Sequence, residues 1–394
     1  MQRLSLIIIC VVALFINACD KKQEPSPPAG DEISSMSVSA RKVNGEVILD
    51  ITATTFKGTN PVATTFEQAE VWVSEEASGY SNMKLVSTTN SKTLKLDNLK
   101  ADKTYYVAVK GIKNGVKTEF SKQIMFTTST IKPLETLLEL QNGWFISSSP
   151  TSPYIAYVDD GTGEVILQNW KDKTRKVIFK NSASKSYRIK GFYTEGARLF
   201  LETTRGQDRA FDYYDLANEK IIEIKMPIAS RIWNCAFSPN GYRMAFTDYN
   251  STGLFLYDTV LENLRVYSND TFHDFQWTVD GKNIIEVRNK ANSTLETREV
   301  VKWDLADSKK TPAKLFEWPD AIQSVLFSPN DEYVLFASSV ANNSDLWIYE
   351  LKSGKTWQIS DTSNFGWLSE KEFFVNVNKT GNETSWKTYR YTMP

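Results

Sequence analysis

The phrase "FSPNGYRMAF", beginning at Phe237, returns about ninety residues later as "FSPNDEYVLF", beginning at Phe327. A polar loop and an aromatic strand follow each copy, "GLFLYDT" in the first and "DLWIYEL" in the second. Four further copies align with these two, as "SSPTSPYIAYV", "FYTEGARLFLE", "WTVDGKNIIEV" and "WLSEKEFFVNV". The anchor residues Ser148, Phe192, Phe237, Trp277, Phe327 and Trp367 stand 44, 45, 40, 50 and 40 residues apart. Internal self-similarity at such a period means a stack or ring of equivalent units, none able to bury its apolar face alone.

Each unit reads as four short strands. The third strands are "EVILQNW", "AFDYYDL", "GLFLYDT", "VVKWDL", "DLWIYEL" and "WKTYRYT". The fourth are "RKVIFK", "IIEIKM", "LRVYS", "AKLFE" and "TWQIS". Four strands at a period in the low forties define a β-propeller blade, so residues 129–394 are expected to form a six-bladed propeller. Only five fourth strands exist for six third strands. The spare segment "LETLLELQ" at residues 134–141 is expected to complete the last blade and remove two exposed sheet edges.

Residues 32–128 alternate apolar and polar with period two in "EVILDITAT", "AEVWVSEE", "KTLKLDNL", "TYYVAVKGI" and "KQIMFTT", the spacing of an all-β sandwich. The fold class is therefore all-β throughout, a sandwich followed by a propeller. Residues 1–18 read as a signal peptide, with Arg3 ahead of an apolar run too short to span a bilayer. Residues 19–31 are a charged, Pro-rich tether.

Three resemblances refine this reading. The stretch Ile16-Asn17-Ala18-Cys19 resembles the lipobox of bacterial lipoproteins, which implies acylation of Cys19, attachment to a membrane through lipid and an extracytoplasmic site, expected at the outer membrane. "LDNLKADKTYYVAV" resembles the fibronectin type III pattern, with Tyr105 at the tyrosine-corner position; Ala101 replaces the usual proline. The "FSPNG" turns with "LFLYD" strands resemble TolB-type, WD40-like propeller repeats, also found in the non-catalytic propellers of prolyl oligopeptidase-like peptidases.

Chemistry is scarce. The chain has 46 basic and 47 acidic residues, so no overall field favours nucleic acid. His273 is its one histidine, which excludes a multi-histidine metal centre. No G-x-S-x-G elbow precedes a helix, and a peptidase is not expected. Cys235 reads as a small buried hydrophobe, and "DDGTGE" at residues 159–164 as a turn rather than a calcium loop. No catalytic residue, cofactor or metal is assigned. The expected function is non-catalytic binding of a protein or envelope component, through the loops that lead into each blade. Those loops carry Tyr187, Arg231, Trp233, Phe272, His273, Asp274, Trp318 and Asp320, amphipathic residues of the kind that form contacts. The same aromatics could instead pack between blades. Glycan binding or cleavage is the alternative function, with Asp270, Asp274, Asp320 and Asp361 as candidate carboxylates.

Overall fold

The computed structural model describes residues 32–393, apart from 44–45, 77–78, 141–145, 160, 183–185, 194–196, 206–207, 226–231, 249–252, 269–273, 291–296, 308–310, 320, 341–342, 360–361 and 379–385. Every regular element among the described residues is a strand.

The N-terminal part is built from two facing antiparallel sheets. In the first, Ser35–Val43, Glu46–Lys57 and Asn60–Thr64 follow in order, and Thr93–Leu96 pairs with Glu46–Lys57. The second orders Lys84–Thr89, Gln68–Ser74, Thr104–Lys113 and Val116–Lys117, with Ile124–Thr127 also on Thr104–Lys113. Alternation sends Leu49 and Ile51 of one sheet, and Val71, Val107 and Val109 of the other, into one core. All five are fully buried, as period-two strands with one apolar face require. Tyr105 closes the corner: its hydroxyl accepts the Lys100 N–H at 2.8 Å, and its ring stacks on Phe126.

Six four-stranded antiparallel sheets follow. Their first strands are Ser147–Ser148, Tyr187–Tyr193, Ile232–Phe237, Asp274–Trp277, Ile322–Phe327 and Thr362–Trp367. The last sheet runs Thr362–Trp367, Glu372–Asn378, Trp386–Thr392, and its fourth place is taken by Glu135–Leu140. Glu135 stands opposite Arg390 and Leu140 opposite Trp386. The ring is held by contacts between successive first strands. Trp277 Nε1 donates to the Ala236 carbonyl at 3.0 Å and Trp367 Nε1 to that of Leu326 at 3.2 Å. The first blade has Ser148 at the same position, and its Oγ donates to the Trp367 carbonyl at 2.6 Å. Residues as different as tryptophan and serine thus do one job there, each reaching a main-chain oxygen of the preceding blade. The approach of the first blade is tight at Gly366, where a Cβ would lie 2.7 Å from Ser148 Oγ and 2.6 Å from the Phe374 ring of its own blade.

The repeated turn has a chemical reason. The buried hydroxyls of Ser238, Thr278 and Ser328 donate to Asn240, Asp280 and Asn330 Oδ1 at 2.6–2.7 Å. The same hydroxyls accept the N–H groups of Arg243, Asn283 and Tyr333 at 2.9–3.1 Å. Three residues past each hydroxyl, Gly241, Gly281 and Asp331 take positive φ, a conformation glycine adopts freely and aspartate tolerates.

The sandwich rests on the outer edge of the fifth blade. Hydroxyls of Thr104 and Thr356 share a 2.8 Å hydrogen bond, and Met125 is buried in one cluster with Phe316 and Trp347. Lys42 Nζ donates to the Ser129 carbonyl at 2.9 Å. Burial pushes its ammonium down to about 8, against the pull of the Asp345 carboxylate.

Candidate functional site

The six first strands enclose a central channel of about 810 Å³. Its wall follows from strand geometry. The anchors Phe237, Trp277, Phe327 and Trp367 are buried between blades. The residue three places earlier in each strand, Asn234, Asp274, Ser324 or Asn364, lies on the channel wall. Four successive blades therefore contribute one polar side chain each at matching height. The second blade adds Arg188 and Lys190, with Glu202 from its neighbouring strand.

Asp274 is the most constrained member. Asn234 Nδ2 of the preceding blade donates to its Oδ1 at 3.2 Å. Burial drives its carboxyl up to about 6, against hydrogen bonds from Asn234 and the N–H groups of Phe275 and Val325, and against the charge of Lys190. Part of its side chain borders channel space, yet its surroundings are mostly protein, and that enclosure raises the pKa. Lys190 lies 3.4 Å from Glu202. Asn364 donates to the Ile146 carbonyl at 2.8 Å and accepts the Phe365 N–H at 2.9 Å. Gln276 Oε1 is enclosed and has no hydrogen-bond partner among the described residues. Such a wall offers donors, acceptors and a carboxyl that changes protonation near neutral pH.

The expected contact residues fare differently. Cys19, Arg231, Phe272, His273 and Asp320 lie outside the described residues, as do Asp270 and Asp361. Trp233 belongs to the strand Ile232–Phe237, but its side chain is not among those described. Tyr187 and Trp318 are corrected from surface contacts to packing residues. Trp318 is 3% exposed, with its ring 4.5 Å from Phe336 and 4.8 Å from Trp347, and it donates to Ser338 Oγ at 3.3 Å. Tyr187 is 5% exposed and edge-on to Phe179. Their rings close the seams between blades, where burying large apolar area gains most. Cys235 is partly buried, packed against the cluster of Phe200, Phe237 and Phe246 while also bordering the channel, so it is less enclosed than expected. Asp159 spends its carboxylate on the N–H groups of Gly161 and Thr162, forming the turn. The polar positions along the wall are what the sequence reading missed. The signal lay in "NCAF", "DFQW", "SVLF" and "NFGW", each opening on a small polar residue three before an aromatic.

No family model matches the chain, and no curated protein matches it. Among solved structures, TolB from Acinetobacter baumannii is similar at 14% identity over 82% of this chain and 79% of that one, with a TM-score of 0.44. An oligogalacturonate lyase in complex with manganese is similar at 14% identity over 73% and 86%, TM-score 0.45. The oligogalacturonate lyase of Vibrio parahaemolyticus is similar at 10% identity over 74% and 84%, TM-score 0.45. At such identities and scores these likenesses carry no inference about activity.

Proposed function

We propose that this chain is a lipid-anchored, extracytoplasmic binding protein, without catalytic activity, that captures a protein or envelope component through its propeller channel. The observation that carries this reading is Asp274. A carboxyl held near pH 6 by enclosure, on the wall of an 810 Å³ channel, is energetically expensive, and such groups cluster where a ligand is met. The N-terminal module is read as fibronectin type III-like, supported by its strand pairing and the Lys100–Tyr105 corner. It would serve as a spacer between a lipid on Cys19 and the propeller. The amide- and hydroxyl-rich wall favours a glycan as the second reading.

The test is capture from solubilised envelope fractions by the full chain, compared with an Asp274→Asn, Lys190→Met variant. Recovery of a specific component should fall by about tenfold or more, on the scale of buried polar contacts. Identical recovery by both proteins removes the channel from the account.

A further inference from the structure

A second surface lies away from the channel, on the outer face of the second sandwich sheet. One half of that face is covered by the fifth blade through Thr104, Met125 and Thr127. The other half carries three half-buried rings, Trp72, Tyr80 and Phe120. Tyr80 and Phe120 stack with centroids 4.8 Å apart and planes 3° from parallel. Trp72 meets Phe120 edge-on at 5.5 Å. Leu85, opposite Trp72 in register and 46% exposed, extends the platform.

Two cations stand over these rings. Lys110 Nζ is 4.1 Å from the Phe120 centroid and Lys117 Nζ 5.9 Å from that of Trp72. The nearby carboxylate, Glu70, is already engaged by Lys117 at 2.6 Å and by Trp72 Nε1 at 3.1 Å. Among the described residues, no carboxylate lies within ion-pair distance of Lys110. Against the effect of burial, both lysines pull the Glu70 carboxyl below its ordinary value, so the platform combines half-buried ring surface with two ammonium groups around one carboxylate, an excess of positive charge. Protein–protein interfaces favour aromatics but deplete lysine, so the lysines argue for an anionic ligand rather than a protein. Aromatic faces pack well against the C–H faces of pyranose rings, and an ammonium over a ring is placed to meet a carboxylate.

From this we infer that the Trp72–Tyr80–Phe120 face binds an acidic polysaccharide, with the rings packing against sugar units and Lys110 taking a carboxylate. The site is separate from the channel and does not depend on the channel's role.

Electrophoresis of the full chain through native gels containing alginate, neutral dextran or dextran sulfate tests this. Alginate should retard the protein and neutral dextran should not. Lys110→Gln, a substitution at the surface, and Trp72→Ala should each weaken retardation by about fivefold, while Lys220→Gln, an equal change of charge on the exposed strand Lys220–Ile224, leaves it unchanged. No retardation by alginate overturns the inference. So does equal retardation by dextran sulfate with no effect of Trp72→Ala, which would mean charge attraction alone. If Trp72→Ala misfolds, Lys110→Gln decides: unaltered binding rejects the site.

Discussion

Asp274 and Trp318 illustrate what one residue can and cannot announce. Both were expected among contact residues; the fold sends one to the channel and the other into a seam. For Asp274 the folded pKa lies above that of an ordinary aspartate, so the native state holds the extra proton between the two values. Stability linked to this group is present at acid pH and lost as pH rises from about 4 through about 6. Asp274→Asn removes that titration. Its stability relative to the parent should improve by on the order of 1–3 kcal/mol between about pH 4 and pH 7.5, seen by urea unfolding at both values; a constant difference would contradict the assignment. For Trp318→Ala the expectation is a loss of about 3–5 kcal/mol, as for other buried aromatics, measured by thermal or urea unfolding. A loss below about 1 kcal/mol would return the residue to the surface. Sequence could not separate these fates. An aromatic beside a loop looks the same whether its ring turns to solvent or to the next blade, and rotation about the strand decides.

At the scale of elements, the blades were legible because their turns repeat a chemical device, a buried hydroxyl serving both as donor and acceptor. The sandwich was legible through its period-two cores. The channel wall was not, since its residues are polar, differ between blades and give no period in hydrophobicity. Counting strands left one place open in the last blade, and Glu135–Leu140 occupies it. Leu137 and Leu138 are buried there against Tyr157, Trp170 and Phe374. Deleting residues 134–140 would uncover that cluster and the edge of Trp386–Thr392. The shortened protein should melt at least about 10 °C lower, given losses of several kcal/mol, and should self-associate in analytical ultracentrifugation. A monomer with the parent's melting temperature would show that the strand is dispensable.

For the whole molecule, the seam between sandwich and fifth blade matters most, because it holds the sandwich against the propeller. Lys42 is a weak point within it. Its ammonium is lowered to about 8 by burial, so between about 8 and 10.5 the unfolded chain binds a proton that the native state does not. The penalty of burying the charge is felt below about pH 8 and is relieved as pH rises. Relative to Lys42→Met, the parent should gain on the order of 1–3 kcal/mol from about pH 7 to pH 9.5. Paired unfolding curves at the two values check the sign. A flat difference would place Lys42 in solvent, and a parent that loses ground would mean an ion pair that raises its pKa. Sequence gave no hint of this seam: Met125, Thr127 and Thr356 are ordinary strand residues until the second unit arrives to cover them.

The pairing of Glu135–Leu140 with Trp386–Thr392 also sets an order of events in time. Synthesis runs from the N-terminus, so the sandwich and the waiting strand exist while about 250 residues of their ring are still unmade. Joining distant ends adds little at equilibrium, since the entropy of closing a loop grows only with the logarithm of its length. The burden is kinetic. Until the final strand arrives, an apolar ribbon stands open to any neighbouring chain, and a nascent chain stalled a few residues short remains an open arc with both edges bare.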